Sequence, residues 1–164
     1  MISQLPCDVR VRVADMAAAS HGERLGTGGL GSCVAIILHD PKCGVGGLAH
    51  VLLPSPEMSR ENDNPAKFPC TAVPALLDDM ERLGATGEIT ARLVGGASMF
   101  RSLLAYGGVN MGERNVSASR QALSVAGISL VAEDTGGEHG RSVYFDVATG
   151  RLIVRSVSAG DRDI

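Results

Sequence analysis

The sequence contains no tryptophan, and aromatic residues make up only 3% of its 164 residues. Basic residues do not outnumber acidic ones: 15 lysines and arginines stand against 18 aspartates and glutamates. A nucleic-acid-binding surface needs a basic stripe or aromatic platforms for the bases, so this composition argues against a nucleic-acid-binding protein. No segment approaches the roughly 20 apolar residues of a membrane-spanning helix, and charged residues 8, 10 and 12 leave no signal-peptide h-region. A membrane-inserted protein is therefore not expected.

Cysteine is also sparse, with four residues that form neither a CxxC pair nor a regular disulfide framework. This pattern is typical of free thiols in a reducing compartment, so we expect a cytoplasmic protein. The length is that of one domain, predicted to span residues 1–164 with a polar tail from about residue 158. The 21 glycines favour a fold that contains strands over a helix bundle.

What the sequence does contain is a glycine-rich segment, residues 27–33, that runs into the apolar residues 34–38. The segment predicts a turn, and the apolar run predicts a strand buried on both faces. Residues 40–44 (DPKCG) are typical of a type I turn, because proline fixes φ at the second position and glycine tolerates the positive φ that follows. A second strand then returns to His50, so residues 34–53 are predicted to form a hairpin.

The turn sets the predicted register of this hairpin. If Pro41 and Lys42 are its central residues, cross-strand partners have numbers that add to 83, and Cys33 lies opposite His50. Their Cα atoms would then be about 4.5–5.5 Å apart, with both side chains on one face. A bulge at Gly44 or at residues 46–47 would shift the register by one or two residues.

A thiol beside an imidazole is the usual arrangement of a nucleophilic cysteine. The imidazole accepts the thiol proton, and the resulting ion pair favours the thiolate. The glycines, Gly31 among them, permit a strained turn that would expose the sulfur, and backbone N–H groups near Ser32 and Cys33 are candidate donors to an oxyanion. The spacing makes Cys33 a candidate nucleophile with His50 as its base. A buried cysteine is more often a small packing residue, and a lone histidine more often a structural one, so both interpretations stay open on the spacing alone.

A zinc site is the alternative use of these residues, since His39 and Cys43 lie in the same hairpin. The spacing C-x5-H-x3-C-x6-H lacks the short C-x2-4-C pair of common structural zinc sites. Cys43 lies at the predicted turn and Cys33 at the far end, roughly 20–30 Å along the strand. We expect no metal, and no cofactor either, because neither GxxxxGK[ST] nor GxGxxG occurs in a suitable setting.

The remaining elements are predicted from periodicity and from turn residues. Thr71 is the expected N-cap of a helix over residues 72–83 that ends at Gly84. Residues 14–24 show no clear period and are expected to end in a loop that leads into the glycine-rich segment. Residues 54–69 are a predicted loop that either borders the active site or is disordered. Residues 98–110, with apolar Met99 and Phe100, are ambiguous. A second helix is predicted over residues 113–126, and strands over residues 9–13, 89–94, 128–132, 143–147 and 152–157.

The motifs resemble those of the CheD family of bacterial chemoreceptor glutamine deamidases. The matching segments follow in order along the chain: Thr27-x-Gly29-Leu30-Gly31-Ser32-Cys33-Val34, Gly46-Gly47-Leu48-Ala49-His50-Val51-x-Leu53-Pro54, Lys67-Phe68, Gly95-Gly96-Ala97-x-Met99-Phe100, Gly112-Glu113-Arg114-Asn115, Asp134-x-Gly136-Gly137-x-x-Gly140-Arg141 and Thr149-Gly150. Two positions depart from the family pattern: Gly28, where leucine is common, and Phe68, where tyrosine is common.

By this resemblance, Cys33 is the nucleophile, His50 the base, and Thr27 the residue that orients the histidine through its hydroxyl or its carbonyl. The resemblance implies an α+β fold of mixed β-sheets packed in a sandwich and flanked by helices, as in CheD and the catalytic domain of cytotoxic necrotizing factor. It also implies the substrate, glutamines on the helical cytoplasmic region of methyl-accepting chemotaxis receptors, and a second partner, a CheC-type phosphatase.

Two other classes of function remain open at this point. A different thiol acyl transfer, such as methyl-ester hydrolysis or transglutamination, would use the same residues. A non-catalytic adaptor that binds a phosphatase or a receptor would not need the cysteine.

Overall fold

The structure is a computed structural model that describes residues 6–98 and 110–164. Within these residues, ten strands form two five-stranded sheets, and two α-helices lie against one of the sheets. The strands are β1 (Val9–Arg10), β2 (Asp15–Ala19), β3 (Arg24–Leu30), β4 (Val34–Asp40), β5 (Val45–Val51), β6 (Thr90–Gly95), β7 (Ser129–Thr135), β8 (Arg141–Asp146), β9 (Leu152–Ser156) and β10 (Gly160–Asp163). The helices are α1 (Pro69–Arg82) and α2 (Met111–Val125).

The two sheets pack as a sandwich, which confirms the predicted α+β class. The outer sheet has the order β1-β3-β8-β9-β10, and the central sheet has the order β2-β5-β4-β6-β7. Both sheets are mixed, because β1 pairs with β3 and β6 pairs with β7 in parallel, while all other pairs are antiparallel. Both helices cover the face of the central sheet that points away from the outer sheet. No helix in the described ranges is long and apolar enough to cross a membrane.

The central hairpin, β4 and β5, is buried on both faces, as its continuous apolar sequence predicts. Val34, Ile36 and Leu38 face the helices, whereas Ala35 and Ile37 face the outer sheet. Apolar cores therefore form on both sides of the central sheet. Successive residues along each strand point alternately into one core and the other.

The register of this hairpin differs from the prediction by two residues. Ala35, and not Cys33, lies opposite His50. The loop holds four residues between the paired Asp40 and Val45, because Asp40 closes it with two hydrogen bonds. Its carbonyl accepts from the Gly44 amide at 3.0 Å, and its carboxylate accepts from the Cys43 amide at 3.0 Å. A shift of two residues preserves the alternation of side chains, so Cys33 and His50 stay on the same face.

Three segments predicted to lack regular structure contain strands. Strand β2 lies in residues 14–24, which show no clear period, β3 occupies most of the predicted glycine-rich turn, and β10 lies in the predicted polar tail. The register of β3 against β8 is irregular between Thr27 and Leu30, with Gly29 at a φ of 67°. The glycines thus serve a bulge inside a strand rather than a free turn.

The first helix begins earlier than predicted, with Phe68 as its N-cap. Thr71 lies inside the first turn, where its hydroxyl donates to the Pro65 and Phe68 carbonyls. The predicted second helix and the strands at 89–94, 128–132, 143–147 and 152–157 are confirmed to within about three residues at their ends. Of the predicted strand 9–13, β1 covers only the first two residues. Most of the ambiguous segment, residues 99–109 with Met99 and Phe100, lies outside the described residues.

Candidate active site

The nucleophile predicted from the sequence, Cys33, directly precedes β4 and is buried at the edge of the core between the two sheets. The carbonyls of the turn that carries it are bound from outside the turn. Gly31 O accepts from Ala97 N at 2.8 Å, and Cys33 O accepts from Gly96 N at 2.8 Å. Ser32 O accepts from the Asn115 side-chain amide at 2.8 Å. The turn is therefore fixed by β6 on one side and by α2 on the other.

Glycine is required where β6 meets this turn. Gly95 has a φ of 115°, and a Cβ there would lie 2.4 Å from the Cys33 carbonyl oxygen. Gly96 has a φ of 67°, and a Cβ there would lie 2.2 Å from Val116 of α2. Only a residue without a side chain adopts these φ values at such close approach without strain.

His50 is fully buried and lies in the middle of the central sheet, between β2 and β4. Its Nδ1 atom lies 2.7 Å from the Thr27 hydroxyl of the outer sheet. The same hydroxyl donates to the Val11 carbonyl at 2.6 Å. A threonine hydroxyl has one proton, so it accepts from His50 Nδ1, and this network assigns the Nδ1–H tautomer. The lone pair is then on Nε2, which is buried and has no hydrogen-bond partner among the described residues.

His50 lies on the face of the central sheet that also carries Cys33. Both residues point into the core between the sheets, with Cys33 two residues before Ala35, the direct partner of His50. In a regular ladder this is the relation of a diagonal cross-strand pair, in which Cα atoms lie roughly 7–8 Å apart. The Cys33 thiol forms no hydrogen bond with His50 Nε2. The structure therefore brings Cys33, His50 and Thr27 into one region, although Cys33 is not directly opposite His50 as the sequence predicts.

Burial sets the protonation state of both groups. Burial lowers the pKa of His50 to about 4. It also raises the pKa of the Cys33 thiol, and the residue's own backbone N–H offsets part of this rise. Both shifts favour the neutral thiol and the neutral imidazole over the thiolate–imidazolium pair.

The segment predicted to be a loop at residues 54–69 contains two short 3₁₀ turns, Pro56–Met58 and Pro65–Lys67. It reaches the His50 strand through Ala14. The Asn64 side-chain amide donates to Ala14 O at 2.9 Å, and Ala14 N donates to His50 O at 2.9 Å. Ala14 has a φ of 57°, and no other non-glycine residue in the described ranges has a positive φ. The end of β5 is also held, because Lys67 O accepts from the Leu52 and Leu53 amides at 3.0 and 3.1 Å.

Two contacts of the site were not predicted from the sequence. Val11 acts through its backbone, and the parallel pairing of β1 with β3 that brings it to Thr27 leaves no local sequence signal. Asn115 lies in a predicted helix, on the buried face that also carries Val116, Ser119 and Leu123. A polar amide on the buried face of a helix is a signal for a specific hydrogen-bonding role.

His39 and Cys43, the further ligands of the alternative zinc site, each have another partner and lie apart from each other. His39 Nε2 binds the Val147 carbonyl at 3.1 Å, and the ring packs edge-on against Phe145. Cys43, in the β4–β5 loop, contacts the Thr86 hydroxyl at 3.3 Å. Within residues 6–98 and 110–164, no three histidine, cysteine or acidic side chains come close enough together to hold a metal ion.

Comparison with known proteins gives matches over most of the chain. The family model described as CheD chemotactic sensory transduction matches residues 52–156. A protein of Desulforamulus reducens named probable chemoreceptor glutamine deamidase CheD is 40% identical over 153 residues, which cover 93% of this chain and 92% of the relative. A Geobacter metallireducens protein named probable chemoreceptor glutamine deamidase CheD 2 is 46% identical over 153 residues (91% and 93%). The chemoreceptor glutamine deamidase CheD of Thermotoga maritima is 45% identical over 135 residues (82% of each chain).

Proposed function

The chain belongs to the CheD family, and we propose that it deamidates glutamine side chains of chemoreceptors with Cys33 as the nucleophile. The observation that carries the proposal is the hydrogen bond between Thr27 and His50 Nδ1. It leaves the buried Nε2 atom of His50 without a hydrogen-bond partner among the described residues, on a histidine that shares its sheet face with Cys33. A base held in one tautomer beside a cysteine is the requirement for activating that cysteine.

In the first step, the Cys33 sulfur attacks Cδ of the glutamine side chain while His50 Nε2 accepts the thiol proton. Because burial favours the neutral thiol and imidazole, the proton moves as the S–C bond forms rather than before substrate binds. The electron pair of the C=O bond moves to the oxygen and gives a tetrahedral oxyanion. The imidazolium formed at the same time keeps its Nδ1–H hydrogen bond to Thr27, which stabilises its charge.

In the second step, the imidazolium returns its proton to the leaving nitrogen, the C–N bond breaks, and ammonia departs from a thioester. His50 then removes a proton from water, which attacks the thioester carbon. The S–C bond breaks, the sulfur regains a proton, and glutamate is released. The net reaction consumes glutamine and water and yields glutamate and ammonia, with no cofactor required.

The oxyanion requires donors at the turn that carries the nucleophile. The backbone N–H groups of Ser32 and Cys33 are the proposed donors, and the fixed carbonyls of this turn support the assignment. The turn begins at Gly31, whose amide donates to the Gly29 carbonyl at 3.1 Å. Such preorganised donors need no reorganisation when charge develops on the substrate oxygen.

The proposed substrates are glutamines on the helical cytoplasmic region of methyl-accepting chemotaxis receptors, so the proposed compartment is the cytoplasm. The names of the relatives support a receptor substrate. A CheC-type phosphatase is the proposed second partner, by resemblance to the family. Binding of a purified phosphatase of this type to the full chain, measured by calorimetry, tests that partner separately.

The proposed reaction is tested by incubating the protein with a purified receptor cytoplasmic fragment and measuring ammonia and methanol. Deamidation predicts ammonia from glutamine-containing receptor and no methanol from methylated receptor. Release of methanol in its place would assign a methylesterase. The Cys33→Ala variant separates an enzyme from an adaptor, because an adaptor would bind receptor and give the same signalling output with or without the sulfur.

A further inference from the structure

Asn115 of α2 joins the two ends of the central hairpin where the candidate site lies. The side chain is fully buried, and its Nδ2 donates to Ser32 O at 2.8 Å and to Leu52 O at 3.1 Å. Ser32 directly precedes the proposed nucleophile, and Leu52 follows His50 by two residues. We propose that Asn115 is a positioning residue that holds the Ser32–Cys33 peptide for catalysis.

The amide lies beyond the last paired residues of the hairpin, Val34 and Val51. The next pair along the ladder would be Cys33 and Leu52, but their backbone groups have other partners. Cys33 O accepts from Gly96, and the Leu52 amide donates to Lys67. The strands part at this point, and the two Nδ2–H groups of Asn115 hold them at a fixed separation. This separation governs the distance from the Cys33 turn to the strand that carries His50.

The bond to Ser32 O also fixes the direction of a backbone donor. The described peptide bonds are all trans, and the C=O and N–H of a trans peptide point in opposite directions. With Ser32 O directed at Asn115, the Cys33 N–H of the same peptide points away from α2. The Cys33 N–H is one of the proposed oxyanion donors. Asn115 therefore fixes the direction of this donor without contacting the substrate.

The orientation of the Asn115 amide is determined by its partners. Both partners are carbonyl oxygens, which only accept, so the NH2 group must face them. The Oδ1 atom is then buried without a hydrogen-bond partner among the described residues, which is a cost to stability. A leucine of similar size would avoid that cost, so the amide is explained by the two carbonyls that it holds.

The helix that carries Asn115 is docked tightly enough to act as a fixed support. A Cβ at Gly112 would lie 2.4 Å from Ala97 O and 2.5 Å from Gly96 O. The first turn of α2 is therefore in direct contact with the end of β6, whose next residues bind the Cys33 turn. A side chain on such a support has little freedom to move away from its two carbonyl partners.

The test compares Asn115→Leu and Asn115→Asp with the control Ser119→Ala. Ser119 is one turn along α2 and fully buried. Its hydroxyl donates to the Asn115 carbonyl at 2.7 Å and not to the carbonyls of Ser32 or Leu52. We expect kcat for receptor deamidation to fall about 10–100-fold in both Asn115 variants at unchanged KM. A misdirected oxyanion donor weakens stabilisation of the transition state and leaves binding of the substrate as it is. Ser119→Ala should stay within about twofold of wild type, with thermal unfolding midpoints recorded for all three variants. A rise in KM alone, or an equal loss in the Ser119 variant, would overturn the proposal.

This inference rests on the proposed function, so a second measurement is independent of activity. In nitrogen-15 NMR spectra of the wild-type protein, we expect the Asn115 side-chain amide protons to exchange with solvent much more slowly than those of exposed Gln121. In Asn115→Leu, the Cys33 backbone amide resonance should shift, and in Ser119→Ala it should not. Equal exchange rates, or an unshifted Cys33 amide, would overturn the positioning role of Asn115. If both NMR results are as expected but the wild-type protein releases no ammonia, the proposed function fails instead.

Discussion

The Thr27 hydroxyl lies 2.7 Å from His50 Nδ1 and donates its single proton to the Val11 carbonyl at 2.6 Å. This relationship connects the two sheets and determines which imidazole nitrogen carries the lone pair. Resemblance to the family assigned Thr27 the role of orienting His50, through either its hydroxyl or its carbonyl. The hydrogen bond supports the hydroxyl as the orienting group.

Replacing Thr27 with valine removes this hydroxyl but keeps the size and branching of the side chain. We expect kcat to fall about 10–100-fold, since the imidazolium formed during attack loses its partner. The free energy of unfolding should fall by about 1–3 kcal/mol, because Nδ1–H and Val11 O become buried without partners. Thr27→Ser retains the hydroxyl and should keep most of the activity in the ammonia assay. Equal activity of the valine and serine variants would contradict the assigned role.

The low pKa of His50 predicts how stability depends on pH. A histidine with a pKa of about 4 when folded and about 6.5 when unfolded binds fewer protons in the folded state. Its contribution, about 3 kcal/mol, is therefore complete above pH 6.5 and is lost as the pH falls from 6.5 towards 4. Burial also lowers the pKa of His39, which acts in the same direction. Urea unfolding at pH 7, 5.5 and 4.5 measures the loss.

The control for this prediction compares two histidine variants. His50→Gln should flatten the decline in stability below pH 6.5, whereas the same change at His21, which is exposed, should leave the decline as it is in wild type. An unchanged pH dependence in His50→Gln would show that this imidazole is not the buried neutral group described above.

Replacing Gly95 with alanine tests whether stability and activity depend on the position of the Cys33 turn. An alanine there would have a strained φ of 115° and a Cβ 2.4 Å from the Cys33 carbonyl. We expect Gly95→Ala to lower the free energy of unfolding by more than about 1–3 kcal/mol, the cost of the backbone strain alone, and to lower deamidase activity. Denaturant unfolding and ammonia release measure the two effects.

Gly84 provides the matched control, because its φ is 100° but a Cβ there would meet nothing within 4 Å. Gly84→Ala at the end of α1 should show the strain term alone and retain full activity. If both variants lose the same stability and the same activity, the contact with the Cys33 carbonyl has no specific role.

What the sequence predicts best is local. The central hairpin has a strong apolar signal and a turn between its strands, so its existence and the shared face of Cys33 and His50 follow from neighbouring residues. The exact register does not follow, because the loop is closed by hydrogen bonds to the Asp40 carbonyl and carboxylate. Strand β2 was missed because its sequence, DMAAA, has no apolar alternation and is a strand only through its pairing with β5.

The rest of the site depends on contacts between distant segments. Thr27 meets His50 across the two sheets, and its role was inferred from the family motif and not from spacing. Val11 reaches Thr27 through a parallel strand pair, and Asn115 reaches Ser32 from a helix 83 residues further along the chain. Such contacts form only when strands and helices that are distant in sequence pack together, so no local sequence pattern predicts them.

The central claim is that the Cys33 sulfur converts receptor glutamines to glutamates. The most direct measurement is mass spectrometry of a chemotaxis receptor co-expressed with the wild-type protein, with Cys33→Ala or with neither. The claim predicts a gain of about 1 dalton at individual glutamines with the wild-type protein only. The same gain with Cys33→Ala, or no gain with the wild-type protein, would contradict it.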